Sequence, residues 1–135
     1  MRRRCKDCPG GSRRPAPHPG PRCATHHRQI LAARRQAAHG RHIQATYGIT
    51  AEQYAALYTL QGGRCAICRR ATGRGKRLAV DHNHATGEVR GLLCKPCNRD
   101  VLGHLRDDVS AFERAIAYLT DPPALRMLNG SDGHD

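Results

Sequence analysis

Residues 65–98 decide the fold of this chain, and they contain Cys65-Ala-Ile-Cys68, Leu78-Ala-Val-Asp-His-Asn-His84 and Val89-Arg-Gly-Leu-Leu-Cys-Lys-Pro-Cys-Asn98. The stretch has a Cys-x-x-Cys pair near each end, and 25 residues separate the two pairs. This spacing allows four thiols to share one tetrahedral ion, which predicts a structural zinc site made of Cys65, Cys68, Cys94 and Cys97. Two disulfides are the alternative, but no apolar secretory segment opens the sequence, and thiols stay reduced inside cells.

Between the cysteine pairs, alternation and turn residues predict a β-hairpin. Leu78 to Asp81 is a short apolar strand, residues 85–88 form a turn, and residues 89–93 are the returning strand. A helix is expected to begin at Asn98. Because Asp81 and His82 end the first strand and the cysteine pairs hold the hairpin against the helix start, we expect these three polar side chains to converge.

These residues resemble the recombination endonuclease VII family, a group within the HNH, or ββα-metal, nucleases of phages. The resemblance covers residues 47–122 and rests on the two Cys-x-x-Cys pairs, Asp81-His82-x-His84, the run from Gly87 to Asn98, and then Gly103 and a last amphipathic helix. It implies an α+β fold, in which zinc stabilises a small ββα-metal (HNH, His-Me finger) nuclease domain with flanking helices. It also implies that Asp81 and Asn98 bind a catalytic divalent metal and that His82 is the general base.

Phosphodiester hydrolysis fits the chemistry of these side chains. A histidine with a pKa near ~6.5 is mostly neutral at pH 7 and takes a proton from the attacking water. Mg²⁺ or Mn²⁺ bound by one carboxylate and one amide carbonyl keeps positions open for phosphate oxygens. By the resemblance, the products carry 5′-phosphate and 3′-hydroxyl ends.

Two neighbouring residues have open alternatives. His84 either orients the phosphate and helps the base, or only hydrogen-bonds the turn. Arg90 either holds the scissile phosphate or is an ordinary charge on the strand surface.

Charge is distributed unevenly along the chain, whose formal net charge is +12. Residues 1–48 contain 11 Lys or Arg and one acid, whereas residues 49–135 contain 12 Lys or Arg and 10 acids. A basic arm on a nearly neutral domain is typical of a protein that binds a polyanion, here DNA. The residues expected to contact phosphates lie in the arm and in a basic loop, with a solvated surface as the alternative: Arg34, Arg35, Arg69 and Arg70.

The basic arm contains a second candidate zinc site. Cys5-x-x-Cys8 is followed by Cys23-x-x-His26, and the Pro and Gly residues between the two pairs exclude regular secondary structure. Such a segment cannot fold by burial, so we predict that residues 1–27 form a zinc knuckle with three thiolates and one imidazole. His18 or His27 as the fourth ligand, and an unstructured tail, are the alternatives.

Helices are predicted on both sides of the hairpin. Residues 28–48 are rich in Ala, Arg and Gln, which indicates a basic linking helix that lies along DNA or, alternatively, dimerises. Thr50 and Gln53 have the spacing of a capping box and start a helix that Gly62-Gly63 ends.

The last helix shows the same capping signal at Ser110 and Glu113, and Asp121-Pro122-Pro123 stops it. Its apolar positions recur at helical spacing and are expected in the core: Phe112, Ala115, Ile116 and Leu119. The nuclease domain therefore occupies residues 49–122, and residues 123–135 are expected to be a polar tail.

Two rival functions accompany the endonuclease hypothesis. A non-catalytic zinc-dependent DNA-binding protein would not need Asp81, His82 and Asn98 together. A Holliday-junction resolvase is the narrower alternative. The protein after which the family is named acts as a dimer on branched DNA and has long helices after its nuclease unit. In this sequence 13 residues follow Pro122. We therefore expect cleavage of ordinary DNA at least as readily, with a homodimer as an open alternative.

The sequence also indicates where the protein works. No apolar run approaches the roughly 20 residues of a membrane span. We expect a protein that is not secreted and acts in the cytoplasm, which is the host cytoplasm if a phage encodes it.

Overall fold

The computed structural model describes residues 3–129, which contain several helices and one small sheet. In chain order the elements are α1 (Ala24–Tyr47), α2 (Ala51–Leu60), β1 (Ala79–His82), β2 (Val89–Leu93), a π-helix (Pro96–Leu102), α3 (Val109–Thr120) and α4 (Pro123–Asn129). This content confirms the small α+β class predicted from the sequence. None of the helices within residues 3–129 has both the length and the apolar character needed to cross a membrane.

β1 and β2 form an antiparallel hairpin, which confirms the hairpin predicted from the alternation of apolar residues. The paired residues are Ala79 with Leu93, Val80 with Leu92, Asp81 with Gly91, and His82 with Val89. Arg90 has no partner in this register, because β1 continues directly from Asp81 to His82. An extra residue of this kind is a β-bulge, which redirects a side chain and is common beside active sites.

The core lies between the hairpin, α2 and the C-terminal part of α1. Its buried members are Ile43, Cys65, Leu78, Val80, Leu92, Leu93 and Cys97. Hydrogen bonds from α2 hold the sheet in place: the Tyr54 hydroxyl donates to the Leu78 carbonyl at 2.7 Å, and the Gln61 side chain both donates to and accepts from the Leu92 backbone. As the sequence predicts, α2 begins with a capping box of Thr50 and Gln53.

α1 is longer than the linking helix expected at residues 28–48. It begins at Ala24, directly after Cys23, and ends at Tyr47, where Gly48 caps the helix with a positive φ of 73°. Ile43 is 2% exposed and belongs to the core around the hairpin. The C-terminal part of α1 therefore belongs to the core around the hairpin, because it contributes this buried side chain.

α3 differs from the sequence prediction in its start and in its burial. Its N-cap is Asp108, whose carboxylate accepts from the Ser110 N–H, so Ser110 is not the capping residue. Ile116 and Leu119 are 62% and 77% exposed, and α3 has no buried residue. The core assignment for Ile116 and Leu119 is wrong, because helical spacing shows which residues share a face but not whether another element covers that face.

The residues after α3 form a further helix where a polar tail was expected. α4 begins at Pro123, a position that favours proline because the first helical N–H needs no partner. Leu125 and Leu128 are exposed on it. Residues 130–135 of the expected tail lie outside the described residues.

Candidate metal centres and active site

Four thiols meet where the loop after α2 approaches the end of β2. The sulfur atoms of Cys65, Cys68, Cys94 and Cys97 lie within 4.8 Å of one another. The Sγ atoms of Cys68 and Cys94 are 3.8 Å apart, which is about the edge of a tetrahedron with zinc–sulfur bonds of roughly 2.3 Å. This cluster can hold one zinc ion, as the Cys-x-x-Cys spacing predicts.

The protein environment of these thiols favours a bound cation. Backbone N–H groups of Ala71 and Arg70 lower the pKa of Cys68 to about 6, so its thiolate forms easily. Burial, together with the three neighbouring thiols, raises the pKa of Cys97 to about 12. Ionising Cys97 next to three other thiols is costly because the thiolates repel one another. A bound divalent cation balances the negative charge of the thiolates and so makes Cys97 a good ligand.

A second cluster forms where the N-terminal segment meets the start of α1. Its ligand atoms belong to Cys5, Cys8, Cys23 and His26. The Nδ1 atom of His26 lies 3.3, 3.5 and 3.3 Å from the three sulfur atoms, in that order. His18 and His27 instead stack on each other, with ring centroids 4.4 Å apart. The cluster can hold zinc with His26, rather than His18 or His27, as the fourth ligand.

Asp81 and Asn98 line one pocket at the end of the hairpin. The pocket has a volume of about 260 Å³, and its walls are Asp81, His84, Asn98, Gly103, Arg106 and Asp107. Asn98 sits on the π-helix, whose wide turn is closed by a bond from the Gly103 N–H to the Asn98 carbonyl at 3.2 Å. A Cβ on Gly103 would lie 2.4 Å from the Arg99 carbonyl oxygen, so only glycine fits this turn.

Arg90 contacts two of the acids that line this pocket. Its Nε and Nη2 donate to the two carboxylate oxygens of Asp81 at 2.7 and 3.0 Å, and Nη2 also lies 3.2 Å from an oxygen of Asp107. The hydrogen bond with Asp81 raises the pKa of Arg90. Asp81 is 5% exposed, and the bulge in β2 brings the arginine to it.

His82 leaves the same strand end but is not part of the pocket wall. Its ring packs against His84 at 4.7 Å and against Tyr47 at 5.4 Å between centroids. The three histidine and tyrosine rings form a row that begins at the end of α1. His84 therefore connects His82 to the pocket that contains Asp81 and Asn98.

Sequence reasoning missed two residues beside this site. Tyr47 was assigned to the linking helix, and no local signal predicts that its ring packs on His82. Asp107 follows Arg106, and both have positive φ values, 56° and 52° respectively. Left-handed backbone costs about 1–2 kcal/mol per non-glycine residue, so the surrounding structure must hold this turn.

The profile of the recombination endonuclease VII family matches residues 40–121, which include the hairpin, the π-helix and the Cys65 cluster. The chain belongs to this family. Members are expected to have nuclease activity on DNA, and the match begins within α1, after the Cys5 cluster. No solved structure matches the chain.

Two phage proteins are closely related to this family member. The Gene 59 protein of Mycobacterium phage D29 is 55% identical over 130 residues, covering 94% of this chain and 79% of the relative. The Gene 59 protein of Mycobacterium phage L5 is 52% identical over 130 residues, with the same two shares of 94% and 79%.

The four arginines that the sequence assigns to DNA binding outside the hairpin lie on two elements of this family member. Arg34 and Arg35 are exposed in the middle of α1, and Arg69 and Arg70 are exposed in the loop after Cys68. Arg69 has a positive φ of 56°, and the Arg70 N–H bonds to the Cys68 sulfur, so this loop is held against the thiol cluster.

Proposed function

We propose that this protein is a metal-dependent DNA endonuclease of the HNH, ββα-metal type. The observation that supports this most directly is the shared pocket of Asp81 and Asn98, beside His82, within a chain of the endonuclease VII family. The strand–strand–helix order around this pocket agrees with that type. The zinc sites at Cys65 and Cys5 are structural in this proposal.

The residues of the pocket fit a hard divalent cation. A carboxylate and an amide carbonyl are oxygen ligands that Mg²⁺ and Mn²⁺ accept. Asp81 has about four lone-pair positions, and Arg90 uses two of them, so the carboxylate retains capacity for an ion. Asp81 and Asn98 would hold the ion, which would supply charge stabilisation for the phosphate and for the leaving oxygen.

The protein residues then perform the remaining steps. His82 takes the proton of the attacking water on an unprotonated ring nitrogen, and Tyr47 and His84 fix the plane of its ring. His84 also borders the pocket, so its imidazole is placed to orient the phosphate. Arg90 supplies a guanidinium that pairs with the scissile phosphate.

The basic arm binds DNA outside the site of cleavage in this proposal. We divide the chain into a zinc knuckle at residues 1–27, a basic helix at residues 28–48, and a nuclease domain at residues 49–122 to which the end of that helix contributes. Arg34, Arg35, Arg69 and Arg70 contact phosphates without reading bases. The protein acts on DNA in the host cytoplasm.

A junction resolvase is the second candidate function. It needs two active sites acting together, and exposed apolar side chains favour a second copy. They lie on α3 and α4: Val109, Ile116, Tyr118, Leu119, Leu125 and Leu128. Apolar side chains that stay exposed on the surface can mark a protein interface when they share a face.

The proposal is tested with matched linear, nicked and four-way DNAs, each incubated with Mg²⁺ or Mn²⁺ and with wild-type or Asp81→Ala protein. We expect metal-dependent cleavage by the wild type and none by Asp81→Ala in Mg²⁺, with part of the activity returning in high Mn²⁺ because Asn98 remains. Zinc content should be unchanged in both proteins. Wild-type protein that cleaves no DNA form with either metal would support the non-catalytic DNA-binding function instead.

A further inference from the structure

Asp81 is shared between two positive charges in the proposed mechanism. It is the only charged residue that is buried within residues 3–129, and both of its carboxylate oxygens accept hydrogen bonds from Arg90. The proposed catalytic ion would bind the same carboxylate. Arg90 and the ion therefore repel each other at one buried group, and binding of the ion must weaken the contact between Arg90 and Asp81.

Arg90 has a second acceptor within reach. Its Nη2 atom, which donates to Asp81 at 3.0 Å, also lies 3.2 Å from Oδ2 of Asp107. One nitrogen thus already contacts both carboxylates. A small rotation of the guanidinium would transfer its hydrogen bonds from Asp81 to Asp107, and Arg90 would stay beside the two acids.

Asp107 is held in place independently of Arg90. Its N–H donates to the Leu102 carbonyl at 3.1 Å, and its positive φ follows that of Arg106. Both residues border the pocket of Asp81 and Asn98. The left-handed turn thus presents a fixed carboxylate beside the proposed metal site.

We propose that Asp107 is a positioning residue that receives Arg90 when a divalent ion binds Asp81. This inference rests on the proposed nuclease function and goes beyond it. Arg90 is bound to Asp81 in the metal-free protein, moves to Asp107 when the ion binds, and there faces the DNA phosphate. Asp107 does not bind the ion itself, and it acts only through Arg90.

The exchange predicts opposite effects of two substitutions on metal affinity. Arg90→Gln removes the competing charge from a buried carboxylate, so the dissociation constant for Mn²⁺ should fall by about 10-fold. Asp107→Asn removes the negative charge of the alternative acceptor, so the constant should rise by about 2- to 5-fold, the range for a partly exposed ion pair. Both substitutions should slow DNA cleavage.

The experiment measures Mn²⁺ binding without DNA, by electron paramagnetic resonance on zinc-loaded protein. The proteins are wild type, Arg90→Gln, Asp107→Asn, and the double variant. Asp108→Asn is the matched control, because it removes the same charge one residue away and asparagine still caps α3. Thermal unfolding and zinc content show that each variant is folded, and Asp107→Gly replaces Asp107→Asn if the latter does not fold, because glycine adopts the positive φ of this position without strain.

Asp107→Asn should weaken Mn²⁺ binding in the wild-type background and have no effect in the Arg90→Gln background. An equal effect in both backgrounds would overturn the inference, since Asp107 would then act on the ion directly. Wild-type affinity in Asp107→Asn would also overturn it and would leave the nuclease function standing. Wild-type protein that neither binds Mn²⁺ nor cleaves DNA would refute both proposals.

Discussion

The two thiol clusters of this protein are similar in ligand chemistry and different in their surroundings. Cys65 and Cys97 belong to the hydrophobic core, together with Leu78 and Leu92. The Cys5 cluster is surrounded by very little apolar material, since Ala16 is the partly buried apolar residue packed against its three cysteines. The difference teaches that a metal site can either be part of a hydrophobic core or stand in place of one. The Cys65 cluster and the Cys5 cluster should therefore respond differently to loss of the metal.

α1 links the Cys5 cluster to the core around the Cys65 cluster and also keeps the two clusters apart. Cys23 precedes its first residue and Ile43 lies near its last, so its 24 residues span about 36 Å. The middle of the helix is exposed, including Arg34 and Arg35. Damage to the N-terminal cluster should therefore stay local, while damage to the Cys65 cluster should reach the active site through the hairpin.

The largest effect is expected when the Cys65 cluster is broken. Cys94→Ser should abolish cooperative unfolding of the nuclease domain, because structural zinc contributes on the order of 10 kcal/mol in small modules. Cys8→Ser is the matched control and should retain that transition. Calorimetry on both proteins makes the measurement, and a folded, active Cys94→Ser protein would contradict the role given to this zinc.

Zinc content distinguishes the clusters directly. The wild-type protein should contain two zinc ions per chain, because each cluster offers four ligand atoms within 4.8 Å. Cys8→Ser should contain one. Elemental analysis of the dialysed protein tests both values, and a single ion in the wild type would remove zinc from the N-terminal cluster.

The core beside the Cys65 cluster should be sensitive to cavities, unlike the outer face of α3. Leu92 is fully buried, so Leu92→Ala should lower the free energy of unfolding by about 2–5 kcal/mol. Leu119→Ala changes an exposed leucine and should stay within about 0.5 kcal/mol. Urea denaturation gives both values, and a large loss for Leu119→Ala would mean that another surface covers α3.

The arm should affect the salt dependence of DNA binding more than it affects the chemistry. Removing residues 1–35 keeps Ile43 in the core and deletes 10 of the 23 Lys and Arg residues. The slope of log affinity against log salt should become less steep by several units, because fewer counterions are released. The Cys5→Ser/Cys8→Ser variant keeps every Lys and Arg while it removes the zinc site, so it separates the basic charge of the arm from its fold. An unchanged slope after deletion would mean that the arm does not contact phosphates.

The smallest effect is expected at Tyr47, where α1 meets the proposed base. Tyr47→Phe keeps the ring that packs on His82 and should leave the cleavage rate nearly unchanged. Tyr47→Ala removes the ring and should slow cleavage by about 10-fold, since a misplaced base loses efficiency. Equal rates for the two variants in single-turnover assays would show that this contact does not orient His82.

Local rules predicted much of the region around the Cys65 cluster. The cysteine spacing predicted the four thiols of the cluster, and the alternation of apolar residues predicted both strands. The capping box at Thr50 predicted the start of α2. The family resemblance, rather than periodicity, named Asp81, His82 and Asn98. These features were accessible because each depends on residues close in sequence.

The remaining features depend on contacts between distant residues. The bulge at Arg90 depends on how the two strands pair, which the sequence of either strand does not show. The left-handed turn at Asp107 contains no glycine, so no residue type in the sequence indicates it. The exposure of Leu119 depends on whether another element covers α3. Spacing along the chain contains none of this information.

The proposed function assigns the chemistry to the Cys65 region and only DNA binding to the N-terminal region. It is tested most directly by single-turnover cleavage of one DNA duplex at saturating protein, with wild type, His82→Ala and Cys5→Ser/Cys8→Ser. His82→Ala should lose about 10²- to 10⁴-fold in rate with unchanged DNA affinity, while the double cysteine variant should cleave within a few-fold of wild type. A His82→Ala protein that cleaves at the wild-type rate, or a double variant that cleaves as slowly as His82→Ala should, would contradict the account.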